Sequence, residues 1–442
     1  MTNAVAFGAK NWAVVLIVGL FGQIAWTIEN MYFNIFVYHE ISTNPDVIAA
    51  MVAASAIVAT LTTLIMGAYS DHIRKRKIFI VVGYLLWGLS TMAFAWLNPK
   101  HLERIAPGLN AVRFAIVLVI VMDCIMTFFG STANDAAFNA WVTDVTVPQN
   151  RGRVQGVLSV LPLLSMLIVF GALDPLTQEG RWDTFFIIIG AATLAAGLIS
   201  VPLMKEPVIT TEKTPLWPKI KYGFEKQVIK DNPKLYLSLL ALLILSISTQ
   251  IYMPYLIIYM QNYLKIDNYA LVLAIVLIGA SIASVIGGRL IDKFGKETIA
   301  KQAINVQMFG LLGMYFLRDL VAVTIAGLIM MSGFMVLLAA INGLIQDYLP
   351  QGMAGRFQGV RMIFAVMLPM IIGPFIGSLV IKNSNETYVD LGVVKQVPTP
   401  NIFLAAVIAL FFIIVPFYVL NEMKKKENEK AEKMEEKKEN EK

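Results

Sequence analysis

Long apolar runs, recurring from Trp12 to Leu420, constrain this chain more than any other feature. They fall at roughly 12–38, 47–70, 78–97, 113–141, 153–173, 184–204, 235–261, 269–291, 298–317, 321–346, 356–381 and 401–420. A bilayer core of ~30 Å asks for about 20 apolar residues at 1.5 Å rise each, and these twelve runs supply that length repeatedly. Several exceed 25 residues, which predicts tilt or protrusion beyond the membrane. Charged residues make up only 15% of the 442, against about a quarter in soluble domains, so lipid is the main solvent. The alternating pattern of a membrane β-barrel is absent. The chain therefore reads as an all-α polytopic membrane protein with twelve transmembrane helices.

Lys10 precedes an apolar run too long for a signal-peptide core, with no small-residue cleavage pattern after it, so the first run reads as a span. The single cysteine, Cys124, lies within an apolar run and offers neither a disulfide framework nor a thiolate metal cluster. No metal site and no cofactor is expected. Lys and Arg fix the orientation. With the N-terminus taken as cytoplasmic, 28 of the 36 fall in cytoplasmic segments, which places both termini inside a cell (plasma or inner) membrane. The sequence pI near 9.1 then reflects topology and gives no reason to expect a nucleic-acid partner.

The longest polar stretch, "KEPVITTEKTPLWPKIKYGFEKQVIKDNPK", divides the runs six and six. Residues 1–204 form an N-terminal bundle, 205–233 a cytoplasmic linker, 234–420 a C-terminal bundle and 421–442 a Lys/Glu-rich tail. A surface helix near 216–230 is expected in the linker, and a fraying helix or disorder in the tail.

The halves repeat each other. "TDVTVPQNRGRVQG" (Thr143–Gly156) aligns without a gap on "QDYLPQGMAGRFQG" (Gln346–Gly359), so that Asp144 meets Asp347 and Arg153 meets Arg356. "GAYSD" (Gly67–Asp71) closes the second run and "GRLID" (Gly288–Asp292) the eighth, each followed by a basic loop. Equal parity in both halves predicts parallel, pseudo-symmetric repeats about an axis along the membrane normal. Charges at such matched positions suit a cytoplasmic gate between half-bundles. Its expected members are Asp71, Arg74, Arg76, Asp144, Arg151, Arg153, Asp292, Asp347 and Arg356. Each contact at a wet interface would contribute about 0.5–2 kcal/mol. The plainer alternative is that these are loop-end charges fixing topology.

With six plus six spans, Gly-x-x-x-Asp before a basic loop, and Asp…Gly-Arg after spans 4 and 10, the chain resembles the major facilitator superfamily over nearly its whole length. The superfamily's loop pattern carries a glycine three residues after the acid. Gly295 fills that place in the second copy, but Arg74 stands there in the first. Acids in spans 1 and 4 look closest to the glycoside/pentoside/hexuronide cation symporter branch, the melibiose permease-like proteins, although that branch's acids in span 2 are missing here. The resemblance implies alternating access between two half-bundles, with spans 1 and 4 lining a central cavity.

Acids inside the membrane cost about 2.5–3.5 kcal/mol each on insertion scales and ask for a task. Glu29 and Asp123 both lie ~13–15 Å from the outer surface, near the midplane, with Asp135 some ~18 Å deeper. These three are the expected cation-coupling residues, for H+ or Na+. Asp123, Thr127, Ser131 and Asn134 share one helical face. Helix–helix hydrogen bonding is the alternative for Asn134 and Asn139. Gln23, Trp26, Asn30, Asn34, Thr127 and Asn134 in the first half, and Gln250, Tyr252 and Tyr255 around Pro254 in the second, are the expected substrate residues. Hydroxyls, amides and a stacking indole suit a polar solute such as a sugar.

No HExxH or GxSxG is present, the glycines near Lys296 miss the phosphate-loop spacing, and no channel filter is visible, so an enzyme and a channel are not expected. The expected function is cation-coupled symport of a sugar or other polar small solute. A proton-coupled exporter of amphipathic compounds is the alternative, and a transporter-like receptor or scaffold ranks below both. Expected partners are the bilayer and the solute; the sequence sets no oligomeric state, with a monomer favoured.

Overall fold

A computed structural model describes residues 7–98, 101–103, 110–206, 223–350, 354–384, 386–390 and 393–440. Among the described residues, eleven helices are long and apolar enough to cross a membrane. The first half contributes Ala9–Ile41, Pro45–Ile73, Lys77–Trp96, Ala111–Val145, Arg153–Gln178 and Trp182–Leu203, called spans 1 to 6. Spans 7, 8 and 10 to 12 are Pro233–Tyr263, Tyr269–Phe294, Leu320–Tyr348, Gly359–Asn383 and Asn401–Glu427. Span 9, Lys296–Phe316, has the length but carries Gln302, Asn305 and Gln307 among its apolar residues.

Local chemistry sets the span boundaries. Asn44 caps span 2 by accepting from the Asp46 amide at 3.0 Å, with Pro45 in the first turn where no amide hydrogen is needed. Asn110 caps span 4 through the Arg113 amide at 3.1 Å, and Asp319 caps span 10 through Val321 and Ala322 at 3.0 and 3.2 Å. Span 2 ends at Arg74 with φ 56°, and span 8 ends at Gly295 with φ 87°. Both lie three residues after the motif aspartate and both take a positive φ, but Arg74 is left-handed helical at ψ 38° whereas Gly295 is extended at ψ 149°, so the two copies leave their spans by different bends. For arginine the left-handed bend costs about 1–2 kcal/mol; for glycine a positive φ is nearly free.

Apolar side chains such as Val117, Ile282, Val285, Phe309 and Val321 remain more than half exposed, as a lipid-facing belt requires. Small residues let the spans approach inside. A Cβ at Gly130 would sit 2.8 Å from the Trp87 ring, so glycine there is what lets span 4 close on span 3. Gln307 is fully buried with neither amide atom hydrogen-bonded among the described residues.

Two features depart from an all-helical reading of the polar segments. Between spans 11 and 12, β1 (Thr387–Asp390) pairs antiparallel with β2 (Val393–Gln396), with Thr387 opposite Gln396. The expected tail begins inside one helix, Ile414–Asn440, which continues span 12 without a break at residue 421. Residues 216–222 of the surface helix expected at 216–230 lie outside the described residues; of the rest, 223–225 are not helical and Lys226–Asp231 is.

Candidate transport site

The centre of the first half is built on helices that loosen where the acids sit. Span 1 widens to a π-turn at Ile28–Tyr32 around Glu29, and span 4 does so at Ser131–Phe138 around Asp135. Such π-turns are frequent at functional sites because they re-aim side chains and free backbone groups. Glu29 and Asp123 are buried, at 9% and 1% exposure. Thr127 Oγ1 donates to Glu29 Oε1 at 2.7 Å, bridging spans 1 and 4. Glu29 Oε2 and Asp123 Oδ1 have no hydrogen-bond partner among the described residues, and neither do the indole nitrogens of Trp26 and Trp87. Those two rings pack 5.1 Å apart. Asp135 is half-buried and accepts from Ser131 Oγ at 3.2 Å.

Other expected residues divide by what their polar atoms already do. Asn134 donates to Tyr84 Oη at 2.7 Å, and that hydroxyl donates to the Val18 carbonyl at 2.6 Å, a chain that ties spans 4, 3 and 1 together. Asn134 is thus placed as interhelical glue. Asn30 and Asn34 each donate back to their own helix, to Trp26 O at 2.8 Å and Asn30 O at 2.9 Å. Gln23 and Gln250 are half-buried. Tyr255 does not present its hydroxyl as a substrate ligand: it is shared between the carbonyls of Pro45 at 3.1 Å and Pro374 at 2.9 Å, joining spans 7, 2 and 11. Tyr252 packs its ring 5.5 Å from Phe403 of span 12.

At the face carrying the termini, the repeated charges pair within each half. Arg76, only 3% exposed, donates from Nε to Asp144 at 3.0 Å, from Nη1 to Ser70 at 2.5 Å and from Nη2 to Asp71. Lys296 mirrors it, reaching both Asp347 oxygens at 2.6 Å. The doubled motif therefore builds one base-to-acid clamp per half, tying the loop after span 2 or 8 to the end of span 4 or 10. Arg153 lies over the Trp12 ring at 5.8 Å, Arg151 Nε donates to Thr146 at 3.4 Å, and Asp292 is exposed. Arg74 holds the left-handed bend described above, and the Arg356 side chain lies outside the described residues.

The far face holds contacts that cross between halves. Asp174, 1% exposed near the end of span 5, accepts from Tyr32 Oη at 2.8 Å, from Gln178 Nε2 at 2.6 Å and from Tyr269 Oη of span 8. Asp46 accepts from Ser378 and Lys382 of span 11, each at 2.5 Å. Tyr38 donates to the Gln396 carbonyl of β2 at 2.6 Å. Above this seal lies a vestibule of about 500 Å³, lined in part by His39, Gln178, Gln261 and Tyr269. Sequence reasoning passed over Asp174 and Asp46, which stand next to a proline just outside the apolar runs at 153–173 and 47–70. The signal was an acid in "GALDPL" with apolar residues on both sides.

Residues 15–374 match the family model of the Major Facilitator Superfamily. The chain belongs to that superfamily. No curated relative matches it in sequence. Among solved structures it is similar to the nucleoside transporter NupG, with a TM-score of 0.66 at 12% identity over 94% of this chain and 99% of that one. A bacterial homologue of the human lysosomal transporter Spinster, inward-facing and occupied, gives a TM-score of 0.69 at 13% identity over 93% and 96%. A bacterial homologue of the iron transporter ferroportin, inward-facing, gives 0.67 at 13% identity over 93% and 98%. At such identities the likeness carries the fold, and the two six-helix bundles expected from the internal repeats are the superfamily's architecture.

Proposed function

We propose that this superfamily member is a cation-coupled secondary transporter of a small solute, working by alternating access, with Glu29 and Asp123 as its coupling pair. One observation carries the reading: two buried carboxylates, each with an unpartnered oxygen, stand on spans 1 and 4, and Thr127 of span 4 donates to Glu29 of span 1. In a low-dielectric site two anions repel strongly, so holding one H+ or Na+ between them relieves the site. Releasing that cation to one face and reloading from the other couples the cation gradient to the halves' motion. Asp135 is a second station on the way to the terminal face. The basic loops support a reading of that face as the cytoplasmic one, in a plasma or inner membrane. With the far face sealed by Asp174–Tyr269 and Asp46–Lys382, the arrangement matches a carrier open inwards.

Sugar symport is supported by Trp26, Gln23 and the acids of the first half. A second reading, proton-coupled export of amphipathic compounds, is favoured by the second half, where Tyr255 is engaged structurally and methionines line the space beside the helix break at Pro254. The deciding experiment is uptake of radiolabelled sugar into proteoliposomes under imposed H+ or Na+ gradients. Asp123→Asn and Glu29→Gln should reduce gradient-driven accumulation to passive exchange. Accumulation that survives in both variants removes them from coupling, and an absence of sugar uptake under either gradient turns the assay to amphipathic cations.

A further inference from the structure

A groove of about 470 Å³ runs between spans 9 and 12 on the outside of the second half-bundle. Ile304 and Phe417 are buried and form its floor, while Phe411, Ile414 and Tyr418 stand exposed along it. Span 9 begins at the face carrying the termini and span 12 ends there, and Lys424 joins the two ends by pairing with Glu297 at 2.6 Å. Going into the membrane from that bridge, Lys301 and Asn421 come one turn down and Asn305 and Tyr418 about two turns down. Met308, Ile414 and Phe411 follow at three turns or more. The groove is therefore polar at its head and apolar at its tail. Pro416 has no amide hydrogen to continue the helix, and span 12 loosens to a turn at Phe412–Ile413, between two of the groove's apolar walls.

Exposed polar side chains at this place are informative. Lys301 and Asn305 lie about 8 Å and about 14 Å along span 9 from Lys296, both on the exposed side of the helix. A lysine reaches back to the headgroups along its methylenes, but an asparagine is too short to do so. The side chains of Lys301, Asn305, Tyr418 and Asn421 make no hydrogen bond or ion pair with another described residue. An amide without a partner is costly in hydrocarbon, so a lipid group is the natural acceptor there. The charge is one-sided as well. Lys425, exposed one turn above Asn421, adds a second ammonium to that of Lys301, and the acid at the groove's head, Glu297, is already held by Lys424.

We propose that this groove holds one anionic glycerophospholipid from the leaflet on the face carrying the termini. Its phosphate sits with Lys301 and Asn421, its ester carbonyls accept from the Asn305 amide, and an acyl chain lies over Met308, Ile414 and Phe411. Basic pockets between membrane helices recognise anionic headgroups in this way. A zwitterionic lipid fits the apolar tail equally well but brings an ammonium group up to two lysines. A soluble anion leaves the apolar tail uncovered. The site lies apart from the coupling pair and does not depend on which solute is carried.

The test measures lipid binding directly. Purified full-length protein, delipidated in detergent, is titrated separately with dioleoyl phosphatidylglycerol and dioleoyl phosphatidylcholine, and native mass spectrometry gives the affinity of the first lipid bound. A lysine beside an anionic headgroup adds about fivefold to affinity, so phosphatidylglycerol should bind at least about tenfold more tightly than phosphatidylcholine. Lys301→Gln should lower phosphatidylglycerol affinity about fivefold and leave phosphatidylcholine affinity unchanged, whereas Lys301→Arg should keep the preference. Asn305→Leu should weaken both lipids alike, because both carry ester carbonyls. Lys293→Gln, which removes an exposed lysine of the same face outside the groove, should change neither. A preference that survives Lys301→Gln, that is lost equally in Lys293→Gln or that is lost in Lys301→Arg would overturn the proposal, as would unaltered binding of both lipids in Asn305→Leu. Equal affinity for the two lipids on the unmodified protein overturns it whether or not any variant folds.

Discussion

Tyr269→Phe should open the far face. Asp174 accepts from two tyrosines, one from each half of the molecule: Tyr32 in span 1 and Tyr269 in span 8. Only the second bond must break when the halves part at that face, because Asp174 and Tyr32 travel together in the first half. A hydrogen bond to a charged group contributes about 1.5–3 kcal/mol. Removing the Tyr269 hydroxyl takes that from the state sealed at the far face and nothing from the state open there, since Asp174 keeps Tyr32 and Gln178. The population ratio should therefore move about 10- to 150-fold toward far-face opening. Tyr32→Phe removes a bond present in both states, so it should lower overall stability by a similar amount and leave the ratio near its starting value. Spin labels at Glu179 and Asp267, exposed on opposite sides of the vestibule, report the distance between halves by pulsed electron resonance in a Cys124→Ser background. A long-distance population that grows in Tyr269→Phe alone is the expected result. Equal shifts in both variants, or none in either, would refute the assignment of Asp174–Tyr269 as the latch.

Arg76→Ala should cost about 1.5–3 kcal/mol by thermal unfolding, because a guanidinium only 3% exposed is lost while Asp144 and Asp71, 20% and 43% exposed, keep access to solvent. Lys296→Ala, at a pair one-third to one-half exposed, should cost less than about 1 kcal/mol in the same measurement, which separates two sites that the repeat makes look alike. Gln307→Leu should raise thermal stability by about 1–2 kcal/mol, since it removes a fully buried amide without partners; a drop would mean that the amide is satisfied in the membrane-embedded protein. Arg74→Gly should stabilise slightly, by up to about 1 kcal/mol, by relieving the left-handed corner after span 2. Thr127→Val should lower gradient-driven transport more than it lowers thermal stability, since it strips the hydroxyl that Glu29 accepts from.

The spans were legible because a bilayer imposes one long, crude rule that a sequence obeys openly: twenty apolar residues between polar ends. The span ends were legible to within a few residues for the same reason: the runs at 47–70 and 321–346 lie inside Pro45–Ile73 and Leu320–Tyr348. Glu29 and Asp123 stood out because a charge within an apolar run is costly wherever it occurs. What stayed hidden depends on how helices rotate and meet. Tyr255 looked like a ligand from its neighbours in sequence, but helix packing delivers its hydroxyl to two proline carbonyls on other spans. Asn134 shared the face of Asp123 and Thr127, yet Tyr84 from span 3 claims it. The doubled motif was visible in sequence. A gate between half-bundles was the expectation, with Arg76 among the partners expected for Asp144; Arg76–Asp144 and Lys296–Asp347 close within each half, because loop and span end are nearest neighbours once each bundle is packed.

The positive φ shared by Arg74 and Gly295 has a consequence for how the duplicated half-bundles can diverge. What the copies hold in common at that point is a sign of φ, while ψ is 38° in one and 149° in the other. At Arg74, in the left-handed helical region, glycine, asparagine and aspartate should be exchangeable, and valine or isoleucine should not. At Gly295 the extended backbone at positive φ favours glycine alone. The two loops are then under unequal constraint: the first half-bundle leaves its span by a bend that other side chains can adopt, and the second by one that they cannot.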